Sequence, residues 1–302
     1  MQNTSDPKPI VIASCNTYPL GNPCIQALCE ELKALKHNTQ IIPWQKIEPA
    51  LLPQATLILP LAIWDYCLEI ENFLGFLESL NHHQMTLINT KELILWNLSK
   101  EYLLTFKNFP ITPSIVLKPN HYKAANLELQ IQELCKNLAW QNPVIKPLIG
   151  QSGIGVKRMS EGVLAQDYPR GILIQPYLSG IKDGEICLIF INGAFSHSIL
   201  RKPKAGEWRA NSNYGVKVER FLPSQTHINL AQQLLKSLPF EALYARVDIL
   251  KHRGRFYINE LECIEPALYL QDEEIQNFAK IIHEIQDPKH LITKGKTKIE
   301  KV

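Results

Sequence analysis

Short apolar runs of strand length alternate with segments whose apolar residues recur at helical spacing. Pro9-Ile-Val-Ile-Ala13 is the first such run, and residues 23–36 carry a helical pattern. Residues 39–42, 56–59 and 85–88 read as further strands, and 64–80 as a helix between them. Strand and helix therefore alternate, which predicts an open α/β sheet. Residues 92–106 read as one helix, after which Pro110 and Pro113 break the chain before a strand at 114–117.

A helix over 122–140 leads to the strand Pro143-Val-Ile-Lys146, a glycine-bearing loop and a strand at 172–175. Runs at 185–191 and 194–200 are joined by Asn192-Gly193, the strongest short hairpin signal. Residues 203–215 are polar, contain Gly206, Asn211, Ser212 and Asn213, and read as a mobile loop. The last pair of β runs, Tyr244-Ala-Arg-Val-Asp248-Ile-Leu and Phe256-Tyr-Ile-Asn-Glu260-Leu-Glu262, flanks a turn at Gly254.

Composition changes this picture little. The chain has 302 residues, 45% hydrophobic and 20% charged, enough for a sizeable core and two or three structural units. A net charge of +3 is too mild to imply a nucleic-acid or membrane partner. The one concentrated basic stretch, residues 289–301, reads as a solvated tail. Seven cysteines without a C-x-x-C pair read as reduced thiols, and no signal-peptide or membrane-spanning run is present, so a cytoplasmic protein is expected.

Candidate chemistry gathers in the second half. Side chains two apart on a strand share a face, so Glu260 and Glu262 point the same way, and a hairpin centred on Gly254 places Asp248 opposite Glu260. Three carboxylates so close repel unless something positive lies between them, and Mg²⁺ is the best fit. The same hairpin also reads as the solvated face of a sheet edge. Gly150-Gln-Ser152-Gly153-Ile-Gly155, following Lys146, can present backbone N–H groups to phosphate oxygens, or serve as a plain turn. It is neither a Walker A loop nor a dinucleotide fingerprint. Gln175-Pro-Tyr177-Leu178 reads as a hinge whose backbone could read an adenine edge, and Glu185 as an acid for ribose or a neighbouring donor.

In chain order, Lys100, Lys146 with its glycine loop, the Gln175 hinge, and the Asp248, Glu260 and Glu262 hairpin resemble the ATP-grasp superfamily. Within it the chain looks most like the branch of prokaryotic glutathione synthetase and the ligase that forms D-cycloserine. The residues carrying that likeness include Trp64-Asp-Tyr66, Trp96-Asn97, Arg201-Lys-Pro203, Gly206-Glu-Trp-Arg209, Tyr214-Gly215 and Glu262-Cys-Ile-Glu-Pro266. The resemblance implies an ATP-grasp fold of the α/β (α+β) class. An N-terminal open α/β (pre-ATP-grasp) domain at 1–92 and a joining segment at 93–140 would precede an ATP lid at 141–179. A catalytic subdomain at 180–286 and the basic tail at 287–302 would follow.

It also implies an ADP-forming C–N ligase that phosphorylates a small amino-acid-like carboxylate with ATP and lets an amine, or a similar nucleophile, displace the phosphate; a homodimer is expected only as the usual default for soluble enzymes. By the same resemblance Asp248, Glu260 and Glu262 would hold two Mg²⁺ ions, or Mn²⁺. Lys100, Lys146, Gly150, Ser152, Gly153, Gly155, Gln175, Tyr177, Leu178 and Glu185 would bind ATP. Arg209 with Asn211, and Arg201 as a second candidate, would meet the developing charge. Trp64, Asp65 and Tyr66 would face the acceptor. Three positions depart from the pattern: Glu262 where many relatives carry Asn, Cys187 where many carry Arg or a hydroxyl residue, and Val216 where a second glycine is common. A kinase, or a module that holds nucleotide without catalysis, remains the alternative.

Overall fold

The computed structural model describes residues 8–122 and 126–285. The basic tail lies outside the described residues. The chain divides into two compact units, one grouping the residues up to Lys91 with those from Ile264 onward, the other spanning Glu92–Cys263.

In the first unit β1 (Ile10–Ser14), β2 (Thr39–Pro43), β3 (Leu57–Leu59) and β4 (Thr86–Leu87) form a parallel sheet in the order β2-β1-β3-β4. β1 is buried along its whole length, as a parallel strand covered on both faces must be. The helix α1 (Pro23–Ala34) starts at Asn22, whose side chain accepts the Ile25 N–H, and buries Ile25, Leu28, Cys29 and Leu32, one helical face. The helix α2 (Ile70–His82) begins six residues later than its apolar pattern predicts. The reason is Asp65, whose carboxylate accepts hydrogen bonds from Trp44 Nε1 (2.7 Å) and Gln45 Nε2 (2.8 Å), while Tyr66 is buried against Phe73. These two residues of the Trp64-Asp-Tyr66 motif are thus tied into the unit's own packing.

The second unit opens with α3 (Lys91–Leu98), which ends at Ser99 in extended backbone; a 3₁₀ turn then covers Lys100–Thr105. The expected single helix over 92–106 is therefore broken. The break lets the Lys100 N–H reach the Leu148 carbonyl at 2.8 Å, bringing Lys100 to the glycine loop. A four-stranded antiparallel sheet follows, ordered β5-β8-β6-β7 from β5 (Ile115–Leu117), β6 (Val144–Pro147), β7 (Lys157–Arg158) and β8 (Ile172–Gln175). The helix α4 (Leu127–Asn137), shorter than expected, packs Leu127, Ile131 and Cys135 against Ile145, Ile172 and Ile174 of this sheet.

The other sheet of the unit is antiparallel and five-stranded, ordered β11-β10-β9-β12-β13. Its strands are β9 (Glu185–Ile191), β10 (Ala194–Lys202), β11 (Lys217–Arg220), β12 (Tyr244–His252) and β13 (Arg255–Glu262). Asn192 and Gly193, both at positive φ, close the β9–β10 hairpin as a two-residue turn. One face of the sheet buries Leu188, Phe190, Ala245, Val247, Ile258 and Leu261 against α5 (Gln225–Lys236) and the turn after α3. The last described helix, α6 (Asp272–Ile285), groups with the first unit rather than with residues 180–263, as the boundary 180–286 had it, and packs against α1.

Candidate functional site

The β12–β13 hairpin turns through two residues, Arg253 and Gly254, both at positive φ. Near the turn His252 faces Arg255 and Ile249 faces Ile258, the register that would set Asp248 against Asn259. A bulge between Asp248 and Ile249 then inserts one residue, and beyond it Asp248 faces Glu260 and Arg246 faces Glu262. The expected pairing is present, but the expected loop centred on Gly254 is not what creates it. Because the bulge sends Asn259 and Glu260 to one side, Ile258 and Leu261, three apart, both reach the core.

β13 is an edge strand, covered by side chains and by the backbone of residues 110–112. Asn97 Nδ2 donates to the Leu261 carbonyl (3.0 Å), and its Oδ1 accepts the Cys263 N–H (2.8 Å). The Tyr102 hydroxyl accepts the Leu261 N–H (2.9 Å), and Thr112 N–H donates to the Ile258 carbonyl (2.9 Å). These bonds fix the height at which Glu260 and Glu262 stand.

Above the charged face of this sheet lies a cleft lined by residues of both antiparallel sheets and the loops between them. Fourteen of the sixteen expected site residues line it; Gly155 and Asp248 do not. Asp248 is fully buried just beneath, and Gly155, at positive φ, packs on Pro147. Asn259, Trp208, Gln151 and Thr112 also line the cleft; the first three stand inside motifs quoted above without a role of their own, and Thr112 carries no sequence signal.

The floor is an alternating chain of charges. Asp248 accepts Arg246 Nε and Nη2 (both 2.8 Å) and Arg201 Nη2 (2.7 Å), and Arg201 Nη2 also bonds Glu185. Arg246 Nη2 further donates to Glu262 Oε1 (2.6 Å), while Lys100 Nζ bonds Glu260. Burial would push the Asp248 carboxyl up, but Arg246 and Arg201 outweigh it and hold it at about 2. Burial likewise acts on Glu260 and is outweighed by Lys100 and Lys146, so its pKa is lowered. Glu262 goes the other way: burial, with Glu260 and Asp248 close by, pushes it up to about 7 against the pull of Arg246. Burial lowers Lys146, an effect Glu260 partly offsets.

Four carboxylates, Glu185, Asp248, Glu260 and Glu262, thus meet four cations, Lys100, Lys146, Arg201 and Arg246. Repulsion among the acids alone therefore does not demand a metal ion, contrary to the sequence argument. The donor set still suits one, since oxygens of Asp248, Glu260 and Glu262 lie within 4.8 Å of one another and all are hard ligands. Glu185, Cys187 and Asp248 are as close together. There the Arg201 guanidinium already bridges the two acids, and burial keeps the Cys187 thiol protonated. Glu185 uses Oε1 for Asn259 Nδ2 (2.7 Å) and Oε2 for Arg201, so it serves neighbouring donors rather than a ribose.

The rim is formed by two loops in contact. Tyr214 Oη donates to the Gly153 carbonyl (3.2 Å), Arg209 Nη1 to the Val156 carbonyl (3.1 Å) and Trp208 Nε1 to Glu161 (3.2 Å). A Cβ on Gly153, which has φ +74, would meet Asn211 Oδ1 at 2.8 Å and the Tyr214 ring at 3.0 Å. The polar stretch 203–215 is therefore pinned to the glycine loop. Leu178, Ile181 and Leu250 make an apolar wall, with Val216 packed against it. The Gln175 side chain turns to Ser114 Oγ (2.9 Å), leaving the hinge to present backbone.

A glycine loop facing a carboxylate hairpin across two antiparallel sheets is the arrangement of an ATP-grasp protein. Residues 124–267 match the ATP-grasp domain of prokaryotic glutathione synthetase, and residues 10–89 the N-terminal domain of D-cycloserine synthetase DcsG. The chain thus has the ATP-grasp fold, with one segment similar to the ATP-grasp domain of prokaryotic glutathione synthetase and another similar to the N-terminal domain of D-cycloserine synthetase DcsG.

Glutathione synthetase of Prochlorococcus marinus subsp. pastoris is 23% identical over 144 residues, which span 44% of this chain and 46% of that relative. The match therefore covers about half the length of the curated relative. Among solved structures, D-cycloserine synthetase DcsG superposes with a TM-score of 0.78 at 18% identity, covering 92% of this chain and 99% of that one. D-alanine–D-alanine ligase from Bacillus anthracis, complexed with ATP, gives 0.65 at 16% identity over 96% and 99%. The ATP-grasp ligase PsnB, complexed with a phosphomimetic precursor variant, Mg and ADP, gives 0.62 at 12% identity over 93% and 99%. These likenesses establish the ATP-grasp fold. Among the described residues no helix is long and apolar enough to cross a membrane.

Proposed function

We propose that the chain is an ATP- and Mg²⁺-dependent, ADP-forming ligase that joins an amine or similar nucleophile to a small amino-acid-like carboxylate. The observation that carries this reading is the convergence of Lys100, Lys146, the glycine loop and the Asp248, Glu260 and Glu262 hairpin on one cleft. Leu178, Ile181 and Leu250 offer a flat base an apolar wall, and the lysines and glycine-loop N–H groups suit its phosphates. Asp248, Glu260 and Glu262 would hold the metal, which supplies charge neutralisation at the phosphates; two ions fit the family pattern. Arg209 and Arg201 flank the same space and would meet charge developing on the transferred group. The contact between the two rim loops would help keep water out, and an acyl-phosphate needs that exclusion to survive until the nucleophile arrives.

ADP and phosphate release, measured with pooled amino acids and amines, tests the reading. Release that depends on an acceptor, with a condensed product of matching mass, is expected. Binding of ATP with no acceptor ever stimulating turnover, or a stable phosphorylated product alone, would sink it.

A further inference from the structure

Glu207 does not line the cleft, yet its carboxylate accepts four hydrogen bonds at the cleft rim. Oε1 takes the backbone N–H of Trp208 (2.8 Å), that of Arg209 (3.0 Å) and Arg209 Nε (3.0 Å). Oε2 takes Arg209 Nη2 at 2.9 Å. On its other sides Arg209 donates to the Val156 carbonyl (3.1 Å), stands 3.9 Å over the Tyr214 ring and 5.3 Å from that of Trp208, and has Glu161 Oε2 3.8 Å away. The guanidinium is therefore fixed along one edge and one face before any ligand arrives. Three of its five N–H groups serve Glu207 and Val156, which leaves two for a ligand in the cleft.

We propose that Glu207 is a positioning residue that holds Arg209 at the angle from which its guanidinium meets the transferring phosphoryl group. This rests on the ligase reading, in which Arg209 stabilises that group. An arginine side chain is rich in rotamers, and ordering it in advance removes that entropic cost from the reaction. A planar carboxylate set against Nε and Nη2 imposes an orientation that one point contact could not. Hydrogen bonds from Arg209 and from the backbone hold Glu207 down at about 2, so the brace stays ionised at any working pH.

The test compares Glu207→Gln, Arg209→Ala and the double variant in steady-state turnover. Glu207→Gln should lower kcat about tenfold to a hundredfold with KM for ATP within about twofold, and should change nothing further in the Arg209→Ala background. An equal fall in both backgrounds, or a raised KM with kcat intact, would overturn the proposal. Glu207→Asp, one methylene shorter, keeps the charge but loses the two-pronged reach; it should match Glu207→Gln, and full activity would also count as refutation. If no acceptor supports turnover, the ligase reading fails separately. Positioning is then read from the preference for ATP over ADP in equilibrium binding. Both single variants should reduce that preference alike, and a loss confined to Arg209→Ala would refute the role of Glu207.

Discussion

Asp248 is the residue on which the charged floor turns, because it is fully buried and shared by two guanidinium groups. Its replacement by Asn would leave Arg246 and Arg201 short of a charge partner in the interior, a change worth about 3–5 kcal/mol. Glu262 is partly exposed and faces the cleft, so Glu262→Gln should cost far less. Urea unfolding of the two variants should separate them clearly; equal stabilities would mean that the floor is not held by Asp248. The difference also bears on the proposed function, since loss of activity in Asp248→Asn would mix unfolding with loss of the metal ligand proposed there. Glu260→Gln is the cleaner probe of the proposed metal site. Asp248, Glu260 and Glu262 were readable in the sequence as alternating carboxylates. Arg246 was visible in the same motif, but its part in the floor was not: whether an arginine reaches into a carboxylate cluster depends on side chains that only the packed sheet brings together.

At the scale of elements, the bulge in β13 is the detail that an ideal strand period hides. The spacing of Ile258 and Leu261, three rather than two, was its one trace in the sequence. The glycine loop offers a direct test, because Gly153→Ala must both adopt φ +74 and displace Asn211 or Tyr214. Its KM for ATP should rise about tenfold or more while β6 and β8 persist by circular dichroism, and unchanged ATP affinity would show that the two loops need not touch. The helix α5 carries a pH dependence of its own. His227 Nδ1 accepts the Ser224 N–H at 3.0 Å, and burial, with Lys251 second, lowers the imidazole pKa below 6.5. The unfolded chain then takes up a proton that the folded chain refuses. The contribution of His227 is therefore complete above about pH 6.5 and declines as pH falls through the lowered value. Glu262, pushed up to about 7, gains stability as pH falls over the same window, so the His227 part is read by difference: in thermal melts at pH 7.5 and 5.5, His227→Gln should lose less stability, or gain more, than the parent on going to the lower pH, and identical shifts would contradict it.

For the whole molecule, the floor implies that nucleotide and metal assist each other. Lys100 is bonded to Glu260, so a cation alone must compete with the lysine for that carboxylate. On the proposed function, phosphates entering the cleft would offer Lys100 another partner and release Glu260. Mn²⁺ affinity should accordingly rise about tenfold or more in the presence of ATP, and ATP affinity by the same factor with Mn²⁺, by reciprocity. Independent binding of the two in calorimetry would contradict the exchange. By itself the sequence determined the alternation of strands and helices in the first unit, the Asn192-Gly193 hairpin, the order of lysines, glycine loop and carboxylates, and through them the ATP-grasp class. All of these depend on residues adjacent in the chain, or on side-chain periods that a strand or helix imposes directly. Tertiary structure alone decided that α3 breaks at Ser99 so that Lys100 can reach Leu148, and that Asp65 and Tyr66 serve packing. It also decided that α6 joins the first unit, and that four basic side chains neutralise the acids. Each of these outcomes depends on contacts between residues far apart in the chain, where the energies of burial and charge pairing exceed what local preference can signal.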